Sequence, residues 1–144
     1  MRRNISCLVL FFFCVVWGCQ SHGLDAESAF IKEYQRAHEQ RDVDGAMNLV
    51  YWQGVNEDIK QNFIGNFKDD FKMEIEKLEM VRPPENQMTQ YTSQGKTFKT
   101  NLDVKKVFIV HLKPQPGAVQ ITYTKYLIGV KDGKYYITTA VPVE

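Results

Sequence analysis

The chain predicts an α+β domain in which three N-terminal helices pack on one face of a curved antiparallel sheet. Three observations carry this expectation. Apolar residues recur at three- to four-residue spacing up to Phe71 and alternate after it, so the period changes from that of a helix to that of a strand near mid-chain. Turn signals then follow at short intervals: Pro83-Pro84, Gln94-Gly95, Pro114-Gln115-Pro116-Gly117 and Asp132-Gly133. Finally, 144 residues with 44% hydrophobic content make one domain that buries roughly two-thirds of its unfolded surface and needs no disulfide or metal to fold.

Asp25 is placed as the N-cap of a first helix running to about Arg41, with Ala26, Ala29, Phe30, Tyr34 and Ala37 along its apolar side. Asp42 caps a shorter second helix that presents Val43, Ala46, Met47 and Val50 on one face and is weakened by Gly45. Tyr51-Trp52-Gln53-Gly54 breaks the pattern, and a third helix opens at about Asn56. Its stripe of Ile59, Phe63, Phe67 and Phe71 at i+4 spacing is read as core. In Lys72–Val81 the alternation slips between Ile75 and Leu78, which places a β-bulge near Glu76-Lys77. A hairpin turns at Gln94-Gly95, between about Gln87–Ser93 and Lys96–Thr100. Asp103–Lys113 forms a strand with Val104, Phe108, Val110 and Leu112 on one face. Val119–Val130 and Lys134–Val141 form a last hairpin, whose Asp-Gly pair is the type I′ signature.

The N-terminus reads as an export leader. Arg2 and Arg3 precede an apolar run from Ile5 to Trp17, shorter than the roughly 20 residues a spanning helix needs. Val16-Trp17-Gly18-Cys19 resembles the lipobox of bacterial lipoproteins, with Trp17 bulkier than the small residue usual at that position. The resemblance implies a leader at 1–18, a lipidated Cys19 followed by a tether over 19–24, and a single domain at 25–144. Cysteine usage agrees. Cys7 and Cys14 lie in the apolar run, so Cys19 is the one thiol left after cleavage and no intramolecular disulfide is expected. Gln20 rather than Asp after the cysteine points, under the sorting rule the lipobox implies, to an outer membrane with the body facing the periplasm. That compartment argues against cytosolic cofactors such as ATP and NAD.

Tyr34 to Val50 and the closing Val130 to Thr138, with its Asp-Gly-Lys opening, resemble the nuclear transport factor 2-like (SnoaL-like) superfamily over most of 25–144. The resemblance implies a conical fold with a pocket between helices and concave sheet. Its members include isomerases, dehydratases and polyketide cyclases, and also proteins that only bind or dimerise, so fold alone does not assign activity. Catalytic members carry an acid–base residue on an inward strand position with a tyrosine nearby, and Asp103 and His111 are the candidates of that type here, with Tyr34 as a hydrogen-bond donor. His111 alternates with Lys105, Val107 and Ile109. It faces solvent if the Val104 side is packed, and lines the pocket as a general base if the sheet curls the other way.

Other chemistry is sparse. His22, His38 and His111 are far apart and lack ligand-like neighbours, so neither a metal nor a cofactor is expected. There is no phosphate-cradling glycine loop and no nucleophile elbow. Tyr34, Trp52, Tyr91, Tyr123, Tyr126, Tyr135 and Tyr136 suit either a pocket for a small apolar ligand or a plain core with hydroxyls at its rim. Tyr51-Trp52 is placed at the mouth, with Tyr123 and Tyr126 as further ligand contacts. A net charge of +1 gives no case for nucleic acid. The charge is unevenly spread, however: Asp25–Glu85 holds 14 acids and 8 bases, and Asn86–Glu144 holds 3 acids and 8 bases. Lys96, Lys99, Lys105, Lys106 and Lys113 make the strand half basic. Such a face suits an acidic partner, an anionic envelope surface or a homodimer through the sheet, or serves as a solvated edge blunted against aggregation. The expected function is a lipid-anchored, non-catalytic binding or assembly module; the alternative is a small-molecule isomerase or dehydratase.

Overall fold

A computed structural model of the chain describes residues 22–114, 116–117 and 123–143. The leader at 1–18, Cys19, the first tether residues and the opening of the strand expected from Val119 lie outside the described residues. The order is α1 (His22–Glu39), α2 (Val43–Met47), α3 (Glu57–Asp70), β1 (Ile75–Val81), β2 (Gln90–Ser93), β3 (Lys96–Thr100), β4 (Val104–Leu112), β5 (Tyr123–Lys131), β6 (Lys134–Ile137) and β7 (Ala140–Pro142). The domain is α+β, with a curled antiparallel sheet.

Local chemistry sets the helix ends. α1 begins at His22, before the expected cap, so Asp25 sits in the first turn, where its charge faces the positive end of the helix dipole. The helix closes before Arg41 in a Schellman motif. Arg41 takes φ 54°, its N–H donates to the His38 carbonyl at 3.0 Å, and the Asp42 N–H reaches the Ala37 carbonyl at 2.8 Å. Asp42 at once caps α2, accepting from the Gly45 N–H at 2.8 Å, and Asn56 caps α3, accepting from the Ile59 N–H at 2.9 Å.

Two sheets form, of order β1-β4-β5-β6 and β2-β3-β7. The register shift between Ile75 and Lys77 is the bulge expected at Glu76-Lys77. A second shift, between Val104 and Lys106, was not foreseen; it leaves Lys106 beside α1, 3.3 Å from Glu27. Both bulges lie at the ends of β4 pairings, where they add twist. Asp132 (φ 50°) and Gly133 (φ 75°) make the type I′ turn.

The expected last strand, Lys134–Val141, requires correction. It breaks at Thr138-Thr139, and β7 leaves the larger sheet to pair with β3. Both threonines are buried, and Asn101 holds the corner. Its Oδ1 accepts from the Thr139 N–H at 3.0 Å, and its Nδ2 donates to Thr139 Oγ1 at 2.8 Å and to the Tyr51 carbonyl at 2.6 Å. These bonds replace the ladder partners lost at the bend.

The space between helices and larger sheet is filled. Phe30, Tyr34, Phe67, Phe71, Phe108 and Tyr126 form one buried aromatic cluster, in which Tyr34 meets Phe108 edge-on at 4.9 Å and Phe67 lies 5.2 Å from Tyr126. Phe67 and Phe71 of the α3 stripe are therefore core, while Ile59 and Phe63 are half-buried at its edge. Leu49–Tyr51 runs parallel to β6 and covers that edge, with the Tyr51 N–H bonded to the Ile137 carbonyl and the Ile137 N–H to the Leu49 carbonyl.

Candidate functional site

Two cavities open on the surface of the described residues. The larger, about 640 Å³, lies between α1 and β1. His38 is its most sealed titratable group, 5% exposed, with Nε2 3.3 Å from the Asp70 carbonyl and its ring 4.6 Å from Phe71. Burial holds the imidazole below its ordinary range, against the pull of the Asp70 carbonyl. Three rim charges pair with neighbours, Lys72 with Asp69 at 2.7 Å, Lys77 with Glu79 at 2.5 Å and Glu74 with Lys113 at 2.7 Å, beside Glu39, Arg41 and Glu76 on the same rim.

The smaller cavity, about 400 Å³, forms where β6 abandons the larger sheet. One wall is α3, through Ile59, Asn62, Phe63 and Asn66. The opposite wall is Met88, Thr89 and Tyr91 with Thr100, and the floor is Lys125–Leu127 with Ile137–Ala140. The i+4 repeat that packs Phe63 against the core also turns Asn62 and Asn66, one residue before Phe63 and Phe67, toward this wall. Apolar surface comes from Phe63, Met88 and Leu127, and neutral hydrogen-bonding groups from Asn62, Asn66, Thr89 and Thr100, while the Thr139 hydroxyl is buried between Asn101 and the Tyr51 carbonyl. Among the described lining residues Lys125 is the one charged side chain, and there is no carboxylate or imidazole. An apolar body with a few fixed polar handles is how small-molecule sites are built.

Tyr126 joins this cavity to the core. Its ring lines the cavity, while its hydroxyl donates to Asp70 Oδ2 at 2.9 Å. Burial, then the neighbouring Tyr34 and Asp70, drives its hydroxyl well above the ordinary phenol range. Tyr34 is sealed from solvent. Its hydroxyl makes no hydrogen bond of good geometry among the described residues; the nearby Tyr126 hydroxyl gives its proton to Asp70. Burial raises the Tyr34 hydroxyl likewise.

The other candidate residues lie apart. His111 sits on the face of β4 opposite Phe108, Val110 and Leu112, half-buried, with Nε2 2.6 Å from Glu79 Oε2. Asp103 is exposed in the turn before β4. Tyr123 is exposed near His111, with Lys125 Nζ 5.2 Å from its ring centre. Trp52 backs onto Phe63 at 5.8 Å and donates its indole N–H to the Met47 carbonyl at 3.0 Å; Tyr51 bonds Gln53 and packs on Tyr136. None of these five lines either cavity. Tyr126 and Tyr91 do. The residues that sequence reasoning missed are Asn62, Asn66, Met88 and the Thr138-Thr139 pair. Only the threonines left a signal, as two polar residues interrupting the last apolar run.

Among the described residues no group of three or more His, Cys, Asp or Glu side chains is placed to hold a metal ion, and no helix is long and apolar enough to cross a membrane. No family model, curated protein or solved structure matches the chain.

Proposed function

We propose that this protein is a lipid-anchored envelope module of the nuclear transport factor 2-like type that binds a small amphipathic ligand in the 400 Å³ cavity beside α3, without catalysis. One observation carries the reading: the cavity combines apolar walls with neutral donors and acceptors and a single lysine, and its described lining has no acid–base pair. The isomerase or dehydratase alternative needs a general base near a donor, and His111 and Asp103 line neither cavity. The curled sheet under helices supports the cone assignment, although aromatic core occupies the space where such a fold would hold its central pocket. The positive, apolar and Cys19-terminated leader supports export, lipidation and residence at the outer membrane, facing the periplasm.

Two measurements test this. Cys19→Ser is expected to abolish labelling with radioactive palmitate and to release the protein from the membrane fraction; unchanged labelling contradicts lipidation. A thermal-shift screen of small amphipathic compounds is expected to find ligands that stabilise the protein by about 2–3 kcal/mol at a hundredfold excess over Kd. Met88, 69% exposed, packs little core, so Met88→Ser should lower ligand affinity and leave the unliganded melting temperature unchanged. Hits indifferent to Met88→Ser would place binding elsewhere.

A further inference from the structure

The same cavity exposes backbone as well as side chains. In an antiparallel strand the N–H and C=O of one residue point to the same flank, and residues two apart share that flank. The Leu127 carbonyl accepts from the Thr138 N–H at 2.7 Å, which fixes Leu127 on the β6 flank of β5. The β4–β5 register is unbroken from Ile128 to Tyr123, so the amide and carbonyl of Lys125 face that flank too. There the neighbour is missing, because the last rung of β6 pairs Ile128 with Ile137 and the chain then turns away to β7. Among the described residues no backbone group bonds Lys125 on this side, and Lys125 lines the cavity. A half-finished sheet edge with apolar and hydroxyl-bearing walls is complementary to another strand.

We propose that the cavity takes an extended peptide segment, with apolar side chains and a carboxylate, added as a short strand beside Lys125 on the open flank of β5. The inference rests on the ligand-binding reading above and names its ligand class. Strand geometry sends alternate side chains to opposite sides. One set faces α3 beside Phe63 and Tyr126, and the other lies on the Leu127 face of β5. The carboxylate follows from charge. Lys125, the one charged side chain among the described lining residues, is exposed on the face of β5 away from α3, with Nζ 5.2 Å from the Tyr123 ring, where a side chain of the added strand on that face would meet it.

The test titrates the full-length protein in mild detergent, following backbone amide shifts by NMR. The probes are the capped tetrapeptides VTVE, ITIE, LTLE and FTFE, and the non-peptide apolar anion 8-anilinonaphthalene-1-sulfonate. At least one peptide is expected to bind saturably and shift the Lys125 and Leu127 amides. Its N-methylated form, and its counterpart ending in lysine, should each bind about tenfold or more weakly, since a lost hydrogen bond or a reversed charge costs about that much. The exposed Lys125→Glu variant should invert the preference between glutamate- and lysine-ended peptides. If the anion saturates the cavity and no peptide displaces it, the peptide proposal is overturned and the ligand-binding reading stands. If neither peptides nor anion bind, both fall. N-methylated peptide binding as tightly as its parent overturns strand addition.

Discussion

A single asparagine decides where this chain changes sheets. Asn101 satisfies Thr139 through both backbone and hydroxyl, and ties the Tyr51 carbonyl to the same corner. Asn101→Ala leaves the Thr139 N–H without a partner, while the Thr139 hydroxyl still donates to the Tyr51 carbonyl at 3.0 Å. The change should lower unfolding free energy by about 1–3 kcal/mol in urea melts, the cost of one unsatisfied buried group. A change below 0.5 kcal/mol, the scale of an ordinary surface substitution, would show that water replaces the side chain. Tyr34 presents the opposite case, a buried hydroxyl without a partner. Tyr34→Phe keeps the ring among Phe67, Phe71 and Phe108 and removes the orphaned group, so stability should rise by about 1 kcal/mol; a loss of that size would reveal a bond to Tyr126. Neither role was legible in the sequence. Asn101 acts on a residue 38 positions away, and Tyr34 looks like any apolar position in a helical stripe.

Elements were easier to read than residues. The cap at Asp42, the helix start at Asn56, the bulge at Glu76-Lys77 and the Asp132-Gly133 turn are local, each set by residues within one turn or one rung. Each stands where its spacing placed it, whereas the cap expected at Asp25 lies inside the first turn of α1. The break between β6 and β7 escaped because it depends on tertiary partners, while Lys134–Val141 keeps good strand composition throughout. The bulge near Val104 escaped because Lys106, a residue expected to be solvated, turns inward to Glu27. Close packing at that end also dictates Gly129: a Cβ there would lie 2.5 Å from Leu102 Cβ and 3.1 Å from the Asp103 carbonyl. Gly129→Ala should therefore destabilise by about 1–3 kcal/mol, the range for overpacking, measured by the same denaturant melts. A neutral result would mean that the turn before β4 moves freely.

At the scale of the molecule, the uneven charge spread visible in the sequence is partly consumed within the fold. Lys106 pairs with Glu27 and Lys113 with Glu74, so acidic and basic halves meet across the helix–sheet and β1–β4 boundaries. These are exposed or half-buried pairs that water and salt screen, and they leave Lys96, Lys99 and Lys105, with Lys125, Lys131 and Lys134, as the basic remnant. The pH response belongs to His38. Its folded pKa lies below the ordinary 6.5 because burial disfavours the charged ring, so the unfolded chain takes the proton first. Stability should be full above about pH 6.5 and fall as pH drops from there toward the folded pKa. Glu33, Glu74 and Glu79, held low by Arg36, Lys113 and Lys77, add their loss only below their ordinary 4.5. The decline in melting temperature from pH 7 to 5 should be smaller for His38→Gln than for the wild type; equal slopes would remove His38 from the account. The cavity itself was the least legible feature, since α3, β2, β5 and the Thr138-Thr139 corner meet there only after both sheets have formed.

The central claim, that this meeting place is the binding site, is tested most directly by mapping backbone amide shifts of the full chain titrated with 8-anilinonaphthalene-1-sulfonate. The account predicts saturable shifts concentrated at Phe63, Met88, Tyr91, Tyr126 and Thr138. Shifts centred on His38 and Met73 in the α1–β1 cleft, or scattered without saturation, would contradict it.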